Sequence, residues 1–297
     1  MTGAKNMTLA QSFKKACKRK GSDSIIVQSL IVLYIFLMVI MALLPLFMTF
    51  VFSLKTTQEF HGDEFWTFPK TPMFSNYSSA FFQALPNMLN SIVISLIITF
   101  AAVVLAVATS YVFARIKFPG TNVLFALLMS LMMVPMVLTM TPTYLTIINL
   151  GLKNNWLGLI LPAVSGHQVG TILLFRTFLE QQPQELFESG RIDGASEFRM
   201  CFQIAFPLAL PIIGLHSINI FSASYNDYIW GLLLIETQEI SPLMPVLKQL
   251  VGRAVEASGQ LGVEYALYLM AGAPLVITTM VGLKYSIGGD MSAGIKM

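Results

Sequence analysis

The stretch Ile25-Ile-Val-Gln28-Ser-Leu30-Ile-Val-Leu-Tyr34-Ile-Phe-Leu-Met-Val-Ile40-Met-Ala-Leu-Leu-Pro45-Leu-Phe-Met-Thr-Phe50-Val-Phe52 carries no charge over about 28 residues. About 20 apolar residues suffice to cross a bilayer as a helix. A secretory signal core is only about 7–15 residues long and precedes a small-residue cleavage site. This run is longer and no such site follows it, so it reads as a retained transmembrane helix. Working outward, five further apolar runs cover residues 91–113, 123–144, 157–175, 208–235 and 265–285, the second of them holding Pro135 and Pro142. The whole chain of 297 residues is 55% hydrophobic and 11% charged, with a mean hydropathy of +0.71. A soluble domain carries about 25% charged residues, so both a soluble globule and a disordered chain are excluded. The expected fold class is all-α: a polytopic membrane protein with six transmembrane helices and both termini on one side.

Charge orients these spans. Lys5, Lys14, Lys15, Lys18, Arg19 and Lys20 precede the first run, with no acid among the first twenty residues. With the N-terminus inside, Lys and Arg divide 13 to 5 in favour of the inner segments, the asymmetry that places basic loops in the cytoplasm. The expected layout is a cytoplasmic basic tail 1–24, a six-helix transmembrane domain 25–285 with an inner loop 176–207, and a cytoplasmic tail 286–297. Segment 53–90 is read as an ordered outer loop. Segment 236–264 has room for one short interfacial or partner-binding helix. Cys17 and Cys201 both fall on the reducing side, as free thiols in no metal spacing. A net charge of +3 gives no reason to expect a nucleic-acid partner.

Several chemistries are not legible. The chain contains no Gly-Lys dipeptide, hence no GxxxxGK[ST] loop to cradle a nucleotide phosphate. HExxH and GxSxG are also missing. His61, His167 and His216 are scattered without clustered carboxylates, so no metal site is expected.

The inner loop reads Glu185-Leu-Phe-Glu188-Ser-Gly-Arg191-Ile-Asp193-Gly194-Ala195-Ser-Glu197-Phe-Arg199-Met-Cys-Phe-Gln-Ile-Ala-Phe-Pro207-Leu-Ala-Leu-Pro211. A short helix, an Asp193-Gly194 turn and a second helical stripe from Phe198 are expected, with Pro207 and Pro211 at the entry to the next span. This stretch resembles the EAA signature of bacterial ABC import permeases. Glu188 matches the glutamate; Ser189 and Gly190 stand where the family has two alanines; Asp193, Gly194, Ala195 and Pro207 match the positions that follow. Asn90-Ser91, Tyr111-Val-Phe-Ala-Arg115-Ile-Lys-Phe-Pro119-Gly120, the stretch from Pro135 to Tyr144, Leu150-Gly151-Leu152 with Asn154, Tyr225-Asn226-Asp227-Tyr228-Ile229-Trp230 and the ending Gly288 to Lys296 are similar to the carbohydrate branch, the smaller permease of maltose-type sugar importers.

That resemblance implies a bacterial inner-membrane transport subunit and no enzyme. It implies half of a translocation pathway for a sugar or oligosaccharide, completed by a second homologous permease as a heterodimer. An extracytoplasmic solute-binding protein would dock outside. Two ATPase subunits would bind inside and use ATP and Mg, and this chain itself would bind no cofactor. The loop, through Glu188, Arg191, Asp193, Gly194, Ala195 and Pro207, would couple to the ATPase. Glu188 is also placed to pair with Arg191 at i+3.

On a helix, His216, Asn219, Asn226 and Asp227 share about 100° of arc. Intramembrane polar residues of this kind face a bundle interior or a wet cavity. The face therefore lines the pathway, with Tyr228 beside it, or makes helix–helix hydrogen bonds. Tyr144, Tyr228 and Trp230 suit either sugar stacking or an interfacial aromatic belt, and His167 and Gln168 read as packing residues. The competing class is a secondary transporter or membrane enzyme without an ATPase. A secondary transporter should show repeated halves or several buried carboxylates, whereas Asp227 is the one acid well inside a span.

Overall fold

The computed structural model describes residues 25–61 and 66–293, and its regular structure there is helical, with no strand among the described residues. The basic tail 1–24 and the last residues 294–297 lie outside that description. The chain divides at Phe52 into two units. The first holds nearly all of α1 (Ile25–Ser53), a 29-residue apolar helix in which Thr49 Oγ1 donates back to the Pro45 carbonyl at 2.8 Å.

The second unit is built around α2 (Ser75–Arg115). Its 41 residues make a rod of about 60 Å, twice the roughly 30 Å hydrocarbon thickness. Residues 75–90, expected as loop, are therefore the start of a helix. They are polar enough to escape a search for spans, yet Asn76, Ala80, Ala84 and Asn87 recur at helical spacing and are buried. The buried stripe continues through Ser91, Ser95, Ala102, Ala106 and Ser110. Small residues at this spacing let neighbouring helices approach closely in a membrane. Across this stripe Ser110 Oγ donates to the Ile172 carbonyl at 3.1 Å and Gln168 Nε2 to the Ala102 carbonyl at 3.2 Å, tying α2 to α5 (Trp156–Glu180).

Between them lie α3 (Thr121–Ser130), a short 3-10 turn and α4 (Met136–Asn149). They belong to the expected third run, but it bends by 100° at the break. The reason is Pro135. It lacks an N–H, and it holds Val134 in extended backbone at φ −83°, ψ 116°. Pro142, expected to kink the run too, sits inside α4 without interrupting it.

After α5 come α6 (Gln184–Ile192) and the single turn α7 (Glu197–Met200). A π-type turn (Cys201–Ala205), whose Phe206 N–H reaches back five residues to the Cys201 carbonyl, leads into α8 (Phe206–Tyr225). The fifth span thus ends at Tyr225. The expected continuation to residue 235 is a separate helix, α9 (Ile229–Leu234). Segment 236–264 holds α10 (Leu243–Ser258), longer than the short helix expected there. The last helix, α11 (Gly262–Ala293), passes the anticipated boundary at 285. Among the described residues five helices are long and apolar enough to cross a membrane, or six if the bent pair α3–α4 is one span, in agreement with the count read from the sequence.

Two apolar cores lie along α2. One joins Ile98, Val107 and Tyr111 to Phe175, Leu179, Phe187 and Met200, close to the 184–207 segment. The other joins Ala80 and Ala84 to Phe221, Leu243, Leu250 and Leu267 at the opposite end.

Candidate functional site

The 184–207 segment folds as helix, turn, helix. Pro183 precedes the first turn of α6, where a missing N–H costs nothing. The helix closes on Asp193-Gly194. Gly194 has φ +76°, its N–H reaches the Arg191 carbonyl at 3.1 Å, and the Ala195 N–H reaches the Gly190 carbonyl at 3.0 Å. This is a Schellman closure, which needs a left-handed residue where Gly194 stands. Asp193 is the helix cap before it. Ser196 Oγ then accepts from the Arg199 N–H and opens α7. Pro207 falls at the start of α8, directly after the widened π turn.

Gly190, at the second of the two departures from Glu-Ala-Ala, is buried. A Cβ there would stand 3.0 Å from Ile204 Cδ1 and 3.6 Å from Met200 Sδ, so the small residue belongs to the packing of α6 on the following helix.

A network of side chains fastens this unit to the bundle. Tyr111 OH, on the last turns of α2, donates to Glu197 Oε2 at 2.5 Å. Glu197 Oε1 accepts from Arg191 Nε at 3.0 Å, and Arg191 Nη2 reaches the Arg115 carbonyl at 3.4 Å. Arg115 Nη2 donates to the carbonyls of Leu179 and, at 2.8 Å, Gln182, where α5 ends. Its guanidinium lies 4.1 Å from the centroid of the Phe187 ring, which is 1% exposed under Tyr111.

The expected Glu188–Arg191 pair does not form. Arg191 turns to Glu197, whose carboxylate Tyr111 also holds, and Glu188 accepts from Gln184 Nε2 at 2.6 Å on an exposed face. The same surface exposes Leu186, Ile192 and Phe198, the last two at 86% and 74%.

The residues anticipated on one arc of the fifth span separate. His216 Nε2 lies 2.9 Å from Thr171 Oγ1, and its ring stacks edge-on to Phe175, so it serves the α5–α8 contact. Asn219 is exposed on α8. Asn226 and Asp227 lie past the end of that helix and leave the arc. Asn226 caps the helix, its Nδ2 donating to the Ser222 carbonyl. Asp227 Oδ1 accepts from the Trp230 N–H at 3.1 Å at the start of α9, beside a small internal cavity shared with Ser91 and Ser224. The helix ends there because Asp227 offers the next helix a cap. Tyr228 is 50% exposed and Trp230 is buried.

At the opposite end, asparagines capture backbone. Asn87 Nδ2 donates to the carbonyls of Gln238 and Ser241, and Asn90 Nδ2 to those of Glu239 and Ser241. Ser91 Oγ accepts from the Leu243 N–H. Asn154, at φ +56°, accepts from the N–H groups of Glu236 and Thr237, and Trp156 Nε1 donates to the Ile240 carbonyl. A buried acid, Glu59, accepts from the N–H groups of Thr56 and Lys70 at 2.9 and 2.7 Å. Burial pushes its carboxyl up. The Thr56 and Lys70 hydrogen bonds and the Lys55 charge outweigh that and hold it below the usual range.

Sequence reasoning missed Arg115, Tyr111, Phe187 and Glu197 as a unit. The available signal was Tyr111 and Arg115 four apart on one helix face, next to the longest inner loop. Among the described residues no group of His, Cys, Asp or Glu is placed to hold a metal ion.

Residues 106–283 match the family described as binding-protein-dependent transport system inner membrane component. The chain is 30% identical over 258 residues to the melibiose/raffinose/stachyose import permease protein MelC of Bacillus subtilis, covering 85% of this chain and 91% of that one. It is 25% identical over 251 residues to the sn-glycerol-3-phosphate transport system permease protein UgpE of Pectobacterium atrosepticum, covering 82% and 89%. Among solved structures, a bacterial ABC transporter involved in the import of the acidic polysaccharide alginate superposes with a TM-score of 0.78 at 20% identity, over 90% of this chain and 99% of the matched one.

Proposed function

The chain belongs to the family of inner membrane components of binding-protein-dependent transport systems, and we infer that within such a system it forms half of a carbohydrate pathway and takes its drive from an ATPase through the 184–207 unit. It is a membrane-embedded permease subunit. Its proposed cargo class follows the relatives: one is by name a melibiose/raffinose/stachyose import permease and another an sn-glycerol-3-phosphate transport permease. A second homologous permease, two ATPase subunits using ATP and Mg, and a solute-binding protein complete the proposed assembly.

The observation that carries the coupling reading is the shape of the 184–207 unit. Its inner face is locked to α2 and α5 by Arg115, Tyr111 and Glu197. Its outer face leaves Leu186, Ile192 and Phe198 exposed beside Glu188. Exposed apolar side chains grouped on a polar end of a bundle mark a contact surface. A unit held rigidly on one side and apolar on the other can pass a displacement of its partner to the spans. Asn219 and the bend between α3 and α4 are the proposed pathway elements of this chain; His216 is assigned to packing.

The test is recovery of partners from native membranes through a tag on this chain. Wild type should bring down an ATPase and a second permease. Gly194→Pro and Ile192→Asp should lose the ATPase and keep the permease. Recovery of this chain alone under gentle detergent, with transport in liposomes lacking ATP, would remove the coupling reading and leave a secondary carrier.

A further inference from the structure

A polar cleft of about 630 Å³ opens beside the same unit, between the 116–120 turn, the inner part of α5 and the start of α6. Arg115, Lys117, Arg176 and Arg191 line it against one acid, Glu197. The pairing within it is uneven. Arg191 is held by Glu197, and Arg176 Nε by Glu180 at 2.8 Å. Lys117 has no partner among the described residues, and neither do the terminal nitrogens of Arg176. The Arg176 guanidinium lies 3.6 Å from the centroid of the Phe125 ring, which holds its fork in place. Thr121 and Asn122, at the start of α3, complete the rim.

The apolar surface begins directly beyond that rim. Val123, Leu124 and Leu127 of α3 are 64%, 51% and 60% exposed, and they belong to a helix pair apolar enough to cross the membrane. The cleft therefore sits where a surplus of fixed positive charge meets an exposed apolar helix. A soluble anion would use the charge and leave the apolar wall idle. A protein partner that pairs only with the charged rim would leave that wall idle as well. We propose that the cleft holds the headgroup of an anionic glycerophospholipid, with Lys117 and the free nitrogens of Arg176 on the phosphate and the acyl chains along α3. Basic pockets at helix ends recognise anionic headgroups through this combination of charge and depth. The proposal does not depend on which cargo the chain carries or on the ATPase contact.

The test uses the full chain with its co-purified subunits in neutral detergent. Native mass spectrometry measures retained phosphatidylglycerol against phosphatidylcholine, and thermal midpoints are read in nanodiscs of each lipid. Wild type should retain phosphatidylglycerol preferentially. Lys117→Gln should lower that preference about fivefold, the effect of one basic residue near an anionic surface, while Lys117→Arg keeps it. Asn122→Asp, which adds a carboxylate at the rim, should lower it as well. Arg253→Gln on α10, at the opposite end, should leave it unchanged. Equal retention of the two lipids by wild type overturns the proposal, and so does an unchanged preference in Lys117→Gln. Thermal protection by 5 mM inorganic phosphate equal to that by phosphatidylglycerol makes the cleft a free-anion site. Loss of the ATPase from Lys117→Gln with lipid retention intact makes it a protein contact. Either result overturns the assignment.

Discussion

Gly194 stands at φ +76°, a conformation that costs an L-residue about 1–2 kcal/mol. Nothing lies within 4 Å of where its Cβ would be, so Gly194→Ala isolates the backbone effect from any clash. The expected outcome is a looser end to α6 and weaker recovery of the ATPase, at nearly unchanged thermal midpoint of the bundle. Gly190 gives the contrasting case. Alanine there gains about 1 kcal/mol of helix propensity, but its Cβ must move the end of Ile204 by a few tenths of an ångström. The two effects oppose each other, so Gly190→Ala should stay within about 1 kcal/mol of wild type in chemical denaturation, whereas Gly190→Val should overpack the site and lower the midpoint. Glu59 supplies a pH dependence. Its folded carboxyl lies below its ordinary value of 4.5, so its contribution is fully present above that value and is lost as pH falls through the folded one. Glu59→Gln should destabilise the protein by about 1–3 kcal/mol near neutral pH, through two buried N–H groups deprived of a charged acceptor. The gap between variant and wild type should shrink as the pH is lowered past 4.5. A gap that stays constant down to acid pH would show that the carboxylate charge is not what holds the turn.

At the scale of elements, α2 joins the two ends of the second unit. Its far end captures the 238–241 backbone through Asn87 and Asn90, and its near end holds α6 through Tyr111 and Arg115. A double-mutant cycle between Tyr111→Phe and Glu197→Gln should show a coupling energy of about 0.5–3 kcal/mol, since the two side chains touch and share the Arg191 network. Additive effects would mean that α6 is held by Phe187 packing alone. Gly231 tests another junction: its Cβ would meet Pro245 Cγ at 2.4 Å, and a proline ring cannot swing aside. Gly231→Ala should therefore cost about 1–3 kcal/mol by pushing α9 from α10. The number of spans was legible because hydropathy reports membrane depth. The true length of α2 was not, since residues 75–90 are helical outside the apolar window and their Asn residues look like loop residues until their carbonyl partners are known. The helix–turn–helix at 184–207 was legible because Asp193-Gly194 is a local signal. The hold on it by Tyr111 and Arg115 was not, because those partners lie between 72 (Arg115 to Phe187) and 86 (Tyr111 to Glu197) residues away in sequence. The arc through His216, Asn219, Asn226 and Asp227 failed for a local reason: a carboxylate that can cap the next helix ended the one it was assumed to continue.

For the whole molecule, the bend between α3 and α4 bears on what surrounds the chain. It falls midway along residues 121–149, and Pro135 interrupts the helical hydrogen-bond ladder there. In hydrocarbon, backbone without helical partners is tolerated only where protein covers it or where it lines a wet cavity. Among the described residues of the second unit none buries it: Met133, Val137 and Leu138 are 84%, 76% and 68% exposed. Lipid contact at those residues would leave broken backbone in oil, and the proposed second permease or the water of the proposed pathway is the cover expected there. Phe100, on α2, is equally exposed at 73% but sits on an unbroken helix, where lipid contact costs nothing. A nitroxide at Val137→Cys in the assembled transporter should collide with a water-soluble nickel chelate, or be shielded from every quencher. A nitroxide at Phe100→Cys should collide with oxygen dissolved in the bilayer. Oxygen-dominated accessibility at both positions would put the bend in lipid and remove α3–α4 from the pathway. A bent span that is wet or covered at position 137 would instead make this chain structurally incomplete by itself, which is what half of a pathway requires.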